Sequence, residues 1–187
     1  MTRLVLASGS PRRRELLAYL GESFDVRAPD IDETPLDNED PAGYVERVAR
    51  AKAAAVDGEI VIAADTTVVL DGTIMGKPVD PSDAMRMLRA LAGRDHEVLT
   101  SLVVKAQGSL AATVVRTIVT MTPMSAEDIQ WYVATEEPLD KAGAYALQGT
   151  GGIFVARIDG SASNVVGLPL AELMALLKAA GYRLRSR

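Results

Sequence analysis

Apolar positions along the chain fall into two rhythms, short runs without alternation and longer stretches at helical spacing. Leu4, Val5, Leu6 and Ala7 read as a strand, followed by Ser8-Gly9-Ser10 and a helix from about Pro11 to Leu20. That helix gathers Leu16, Leu17 and Leu20 on one face and stops at Gly21. Phe24 to Arg27 reads as a second strand, leading into the acidic loop Pro29 to Pro35. A long helix from about Pro41 to Val56 carries Val45, Val48, Ala49, Ala53 and Val56 at helical spacing. Ile60-Val61-Ile62-Ala63-Ala64 has the pattern of a strand buried on both faces, with Asp65 at its expected C-terminal end. Val68 to Leu70 and Thr73 to Met75 flank Asp71-Gly72, a tight hairpin signal.

Further on, Pro81 to Leu91 predicts a helix with Gly93 as its stop. Val98 to Lys105 and Ala111 to Met121 read as a hairpin about Gln107-Gly108. Ser125 followed by Asp128 predicts the cap of a helix through about Thr135. Asp140 to Gly152 reads as a glycine-rich loop, Gly152 to Asp159 as a strand, and Pro169 to Ala180 as a final helix stopped by Gly181. Strands and helices are interleaved irregularly, so the expected architecture is α/β with a mixed twisted sheet flanked by helices. At 187 residues the expected organisation is one domain spanning 1–187.

Composition narrows the function classes. With 48% hydrophobic and 24% charged residues the chain is an ordinary globular sequence, and aromatics at 4% make its core aliphatic. A net charge of -5 argues against broad capture of nucleic acid or acidic membrane. The absence of cysteine excludes a disulfide, a thiolate nucleophile and a cysteine zinc site, and fits a reducing compartment. The first apolar run is too short for a secretory segment and no run reaches membrane-spanning length, which makes the cytoplasm the expected location.

The strongest local signal is Ser8-Gly9-Ser10-Pro11-Arg12-Arg13-Arg14. A helix N-terminus carries roughly half a positive charge, so three arginines there are mismatched unless an anion joins them. Ser10 suits the N-cap, Pro11 the first helical position, and Gly9 lets a bulky group approach, an arrangement suited to phosphate. Arg13 shares the inward face with Leu16 and Leu17, whereas Arg14 reads as a solvated charge. Lys52 falls on the apolar stripe of its helix; on that helix alone snorkelling accounts for it, with a cleft-facing cation as the alternative. Together with Arg12, Arg13 and Lys77 of Gly76-Lys77-Pro78, it offers a cation set able to hold a triphosphate.

Asp65 has three roles open to it: metal ligand, base for a water, or cap; its position favours chemistry. Glu33 offers a second carboxylate for a divalent ion, which typically takes one or two carboxylates plus substrate phosphates, while Asp30 and Asp32 read as loop solvation. His96, the sole histidine, lies beside Asp95, but no Gly-x-Ser-x-Gly elbow or complete Walker loop accompanies it. Trp131 reads as packing.

Taken in order, Leu6-Ala7-Ser8-Gly9-Ser10-Pro11-Arg12-Arg13, Ala64-Asp65-Thr66, Leu70-Asp71-Gly72, Gly76-Lys77-Pro78, Gly93-Arg94 with His96, Asp140 to Tyr145, Gln148-Gly149 and Asn164 to Leu170 resemble the Maf family of nucleotide pyrophosphatases over almost the whole chain. The resemblance implies two lobes around a deep nucleotide cleft, as in inosine-triphosphate pyrophosphatases, and cleavage of nucleoside triphosphates to monophosphate and pyrophosphate with Mg²⁺ or Mn²⁺. Such enzymes clear non-standard or excess nucleotides. It implies Asp65 as the catalytic aspartate, Arg12, Thr66 and Gln148 as specificity positions, and Ser8, Arg13, Glu33, Lys52 and Lys77 as further cleft positions that bind substrate; the mechanism expected from these residues places the divalent ion on Asp65 and Glu33. The Asp65-Thr66 pair and the Lys141 to Tyr145 run with Gln148 resemble the branch acting on dTTP and UTP; a sister branch prefers 7-methyl-GTP. Gln148 offers a donor and an acceptor to a pyrimidine edge. Thr67 stands where the family usually has valine, and Ala146-Leu147 where it usually has Gly-Ile. Because the family is also associated with arrest of septum formation, the rival reading is a non-catalytic regulator that binds nucleotide or nucleic acid. The resemblance suggests a homodimer.

Overall fold

The β-branched run at Ile60 forms the longest-buried strand. In a computed structural model, which describes residues 3–183, β1 (Leu4–Leu6) lies parallel to both β2 (Phe24–Val26) and β3 (Ile60–Leu70). Leu4 is in register with Ile60 and Leu6 with Ile62. α1 (Pro11–Ala18) links β1 to β2, and α2 (Pro41–Ala54) links β2 to β3. The Asp40 carboxylate caps α2 by accepting the N–H groups of Ala42 and Gly43, and Pro41 takes the first helical position. Val5, Ala7, Ala49, Ala53, Val56, Val61, Ala63 and Val103 form one continuous core cluster.

β3 does not stop at Asp65. Thr66, Thr67, Val68, Val69 and Leu70 continue it, because β-branched residues fit an extended, pleated chain. Asp71 and Gly72, with φ of 50° and 78°, turn the chain into β4 (Thr73–Met75), which pairs antiparallel with β3. After α3 (Pro81–Leu91) come β5 (Asp95–Ala106) and β6 (Ser109–Met121), joined at Gln107-Gly108 with φ of 50° and 78°. β7 (Val155–Asp159) pairs antiparallel with β6 across an irregularity at Thr120/Met121. The seven-stranded mixed sheet runs β2-β1-β3-β5-β6-β7, with β4 on β3.

α4 (Ala126–Val133) opens with the capping box predicted for it: Asp128 N–H donates to Ser125 Oγ at 3.0 Å and Ser125 N–H to the Asp128 carboxylate at 2.8 Å. Three short 3₁₀ turns, Glu137–Asp140, Ala142–Ala144 and Thr150–Phe154, occupy the predicted Asp140–Gly152 loop and both its flanks, so the strand predicted from Gly152 begins only at Val155. A short α5 (Ala162–Val166), absent from the hydrophobic pattern, precedes α6 (Leu170–Ala179). Asn164 on α5 is buried because its side-chain amide donates to Val98 O and Thr117 Oγ1, both at 3.0 Å.

The chain divides into two compact units. The first comprises residues up to Asp65, Thr100–Val115 and those from Gly167 onward; the second comprises Thr66–Leu99 and Arg116–Val166. The second has its own core, in which Leu88, Leu91, Val98, Met121, Tyr132 and Phe154 are buried together. Among the described residues, no helix is long and apolar enough to cross a membrane.

Ile62 is fully buried three residues before Asp65. Ile62→Ala is expected to lower unfolding free energy by about 2–5 kcal/mol, and Ile62→Val by about 0.5–1.5 kcal/mol. Urea unfolding measures both.

Candidate active site

Tyr44, Val48 and Lys52 follow one another at four-residue spacing along α2, so all three side chains leave the same side of the helix. Lys52 does not snorkel. Its side chain is only 7% exposed, and its Nζ donates to Asp65 Oδ1 at 2.8 Å and pairs with Glu33 Oε1 at 2.9 Å. Both carboxylates outcompete water as partners for an ammonium carried inward by the helix. Asp65 is itself buried. Burial raises its carboxyl above the usual range; Lys52 and Arg13 oppose that rise, and the Glu33 carboxylate adds to it.

Glu33 is half exposed, yet its segment is fastened to α2. Tyr44 OH donates to Glu33 O at 3.0 Å, and Arg47 donates to Thr34 O at 3.0 Å while pairing with Glu39 at 2.6 Å. The Arg47 guanidinium also lies 5.7 Å from the centre of the Tyr44 ring. Burial, with the Asp65 and Glu33 carboxylates beside it, pushes the Tyr44 phenol up to about 12. Asp32 accepts Thr34 N–H at 2.9 Å, a local turn contact in keeping with its reading as loop structure. Tyr44 and Arg47 emerge as site-building residues only in three dimensions, although Tyr44 shares the Val48–Lys52 stripe.

At the start of α1, Ser10 Oγ accepts Arg13 N–H, as an N-cap should. Ser8 Oγ accepts from Ser10 N–H at 3.2 Å and from the Arg13 guanidinium at 3.3 Å, while Arg13 Nε donates to Gly167 O at 2.8 Å. Arg13 is therefore aimed by two anchors, and no acid occupies the first helical turn. Burial draws its guanidinium below the ordinary range, against the pull of Asp65 and Glu33. Arg12 is half-buried and makes no hydrogen bond or ion pair with a described residue, and its charge adds to the lowering at Arg13.

The first unit thus brings together Ser8, Arg13, Glu33, Lys52 and Asp65, with Arg12 on the same helical turn. Thr66, Lys77 and Gln148 belong to the second unit. Thr66 follows Asp65 on β3 and is half-buried. Lys77 and Gln148 are exposed, with side chains that engage no other described residue. Gly143 N–H donates to Gly76 O at 3.1 Å, tying the Lys77 turn to the segment that leads to Gln148. Gly143, at φ 69°, allows this: a Cβ there would meet the Val68 side chain at 2.9 Å. His96 is spent on Tyr145, its Nε2 lying 2.8 Å from the phenol, and burial pulls it down to about 4. Trp131, read as packing from sequence, is 53% exposed and touches Phe154 edge-on.

Two carboxylates converging on one cation are a hard-oxygen donor pair. Such a pair matches the chemistry of an ion such as Mg²⁺, which takes one or two carboxylates beside water and phosphate. Among the described residues there is no group of three or more His, Cys, Asp or Glu that could hold a metal ion.

The family described as Maf-like protein matches residues 3–180. The chain belongs to the Maf family. The dTTP/UTP pyrophosphatase of Anaeromyxobacter dehalogenans (strain 2CP-C) is 59% identical over 186 residues, covering 97% of this chain and 96% of that protein. The dTTP/UTP pyrophosphatase of Myxococcus xanthus (strain DK1622) is 52% identical over 187 residues, covering 98% and 95%. Among solved structures, the Ham1 protein of Staphylococcus aureus superposes with a TM-score of 0.54 at 16% identity, over 95% of this chain and 98% of that one, a likeness of fold.

Asp65 holds its proton more tightly folded than unfolded. The stability this contributes is full below the unfolded carboxylate value of about 3.9 and is lost as pH rises through the elevated native value. Asp65→Asn cannot titrate, so the stability of the parent relative to this variant should decline as pH rises above about 4. Chemical denaturation across that range measures the difference, and parallel curves would deny Asp65 a raised value.

Proposed function

We propose that the protein hydrolyses dTTP and UTP to the monophosphate and pyrophosphate. The observation that carries this reading is the buried Lys52 ammonium shared by Asp65 and Glu33, with Arg13 close enough to feel both carboxylates. The family membership, with relatives that are dTTP/UTP pyrophosphatases, supports the choice of nucleotide.

In this reading water attacks the α-phosphorus, the bond to the β-phosphate bridging oxygen breaks, and pyrophosphate leaves. Asp65 orients the water and takes its proton. Burial makes its carboxylate a stronger base than one in water, and Lys52 and Arg13 oppose that rise. Arg13, fixed by Ser8 and Gly167, and Arg12 neutralise charge on the phosphates, so catalysis is mainly positioning and electrostatics. Asp65 and Glu33 would hold a divalent cation, Mg²⁺ or Mn²⁺, which supplies Lewis-acid polarisation of the phosphoryl oxygens. Lys77 is assigned to the phosphates, and Thr66 and Gln148 to the base. The same reading carries a house-cleaning role, a cytoplasmic location, a homodimer and no nucleic-acid partner.

A panel of dTTP, UTP, CTP, ITP and 7-methyl-GTP with Mg²⁺ or Mn²⁺ tests this. Monophosphate and pyrophosphate are expected mainly from dTTP and UTP. Preference for 7-methyl-GTP would move the protein to the sister branch, and stabilisation by nucleotide without turnover would make it a binding regulator. Asp65→Asn should lower kcat by about 10²–10⁴-fold. Arg13→Lys should lower kcat/KM by about tenfold or more, because a point charge cannot serve Ser8 and Gly167 while facing phosphate. Product chromatography reads all of these.

A further inference from the structure

Gln148 sits in a segment whose backbone is held from both sides by two residues outside the proposed substrate contacts. Glu137 Oε1 accepts Gly151 N–H at 2.9 Å and Tyr132 OH at 2.7 Å, and Glu137 Oε2 accepts Thr150 N–H at 2.9 Å. The Tyr132 oxygen in turn accepts Ala146 N–H at 3.2 Å. The clamped groups therefore lie two residues before Gln148 and two and three residues after it. Tyr132 is fully buried in the core of its unit, so the clamp is anchored on something rigid.

The segment is shaped to accept this carboxylate. Gly149, directly after Gln148, has φ 131°, a conformation reserved for glycine, and a Cβ there would run into the Glu137 carboxylate. A Cβ on Gly151 would strike the Tyr132 hydroxyl. Upstream, the Tyr145 phenol bonded to His96 fixes the segment's other end. Between these anchors the exposed Gln148 amide engages no other described residue, which suits a group kept for a ligand. A carboxylate accepting three donors gives charge-assisted bonds, stronger and shorter than neutral ones. A primary amide of the same shape presents an NH₂ to a backbone N–H and loses one side of the clamp.

We propose that Glu137 and Tyr132 are positioning residues for nucleobase selectivity, acting through Gln148 by fixing the backbone on both sides of it. This rests on the reading of Gln148 as the residue that meets the base.

The test is a double-mutant cycle on selectivity, read as the ratio of kcat/KM for dTTP to that for 7-methyl-GTP, in the parent, Gln148→Ala, Glu137→Gln and the double variant. Glu137→Gln is expected to lower the ratio by about tenfold, mainly through KM for dTTP. The double variant should fall no further than Gln148→Ala alone, because the clamp has nothing left to position. A uniform loss on both nucleotides in Glu137→Gln, or additive losses in the double variant, would overturn the clamp while leaving Gln148 as the base reader. An unchanged ratio in Gln148→Ala would overturn both. If Glu137→Gln fails to unfold cooperatively, Tyr132→Phe, which removes the hydroxyl between Ala146 and Glu137, is carried through the same cycle with the same outcomes.

Discussion

A buried ammonium shared by two carboxylates governs the first unit. Taking Lys52 and Asp65 out of water costs several kcal/mol per ion, and removing one partner of such a pair costs about 3–5 kcal/mol, so each makes the other tolerable. The rest of the neighbourhood follows from that need. α2 must bring Lys52 inward, which fixes its Tyr44–Val48–Lys52 face. The acidic loop must bring Glu33 to the same point, which Tyr44 and Arg47 secure through backbone carbonyls. β3 presents Asp65 three residues beyond Ile62, which is in register with Leu6 of β1.

The arginines of α1 belong to the same electrostatic balance. An N-terminus without acidic residues, with Arg13 turned toward Asp65 and Glu33, leaves positive charge beside a buried acid. Ser8 and the Gly167 carbonyl fix Arg13 in direction, while Arg12 makes no hydrogen bond or ion pair with a described residue. A constellation of this kind lowers reorganisation when an anionic group arrives, because its dipoles and charges are already oriented.

Much of this was legible in the chain. The long apolar runs and the Asp-Gly and Gln-Gly turns located the strands and hairpins, and Ser125 with Asp128 located a capped helix. Three features were not. The strand through Asp65 continued because Thr66 and Thr67 satisfy strand geometry, although polar residues there resemble a strand end. Lys52 was explicable as a snorkelling side chain, since a helical stripe cannot reveal that its acceptors come from residues 13 and 19 positions away on different segments. The turns after α4 depend on backbone N–H groups meeting Glu137 and Tyr132, and backbone donors leave no signature in a sequence. The residues named for chemistry were named from their order along the chain; the way Lys52 joins Asp65 to Glu33 required the fold.

In the proposed reaction, water activated at Asp65 attacks the α-phosphorus of a pyrimidine nucleoside triphosphate. Hydrolysis of dTTP in ¹⁸O-labelled water, with mass analysis of both products, tests it most directly. Label in the nucleoside monophosphate and none in pyrophosphate is the predicted result; label in pyrophosphate would mean attack on the β-phosphorus and would contradict the account.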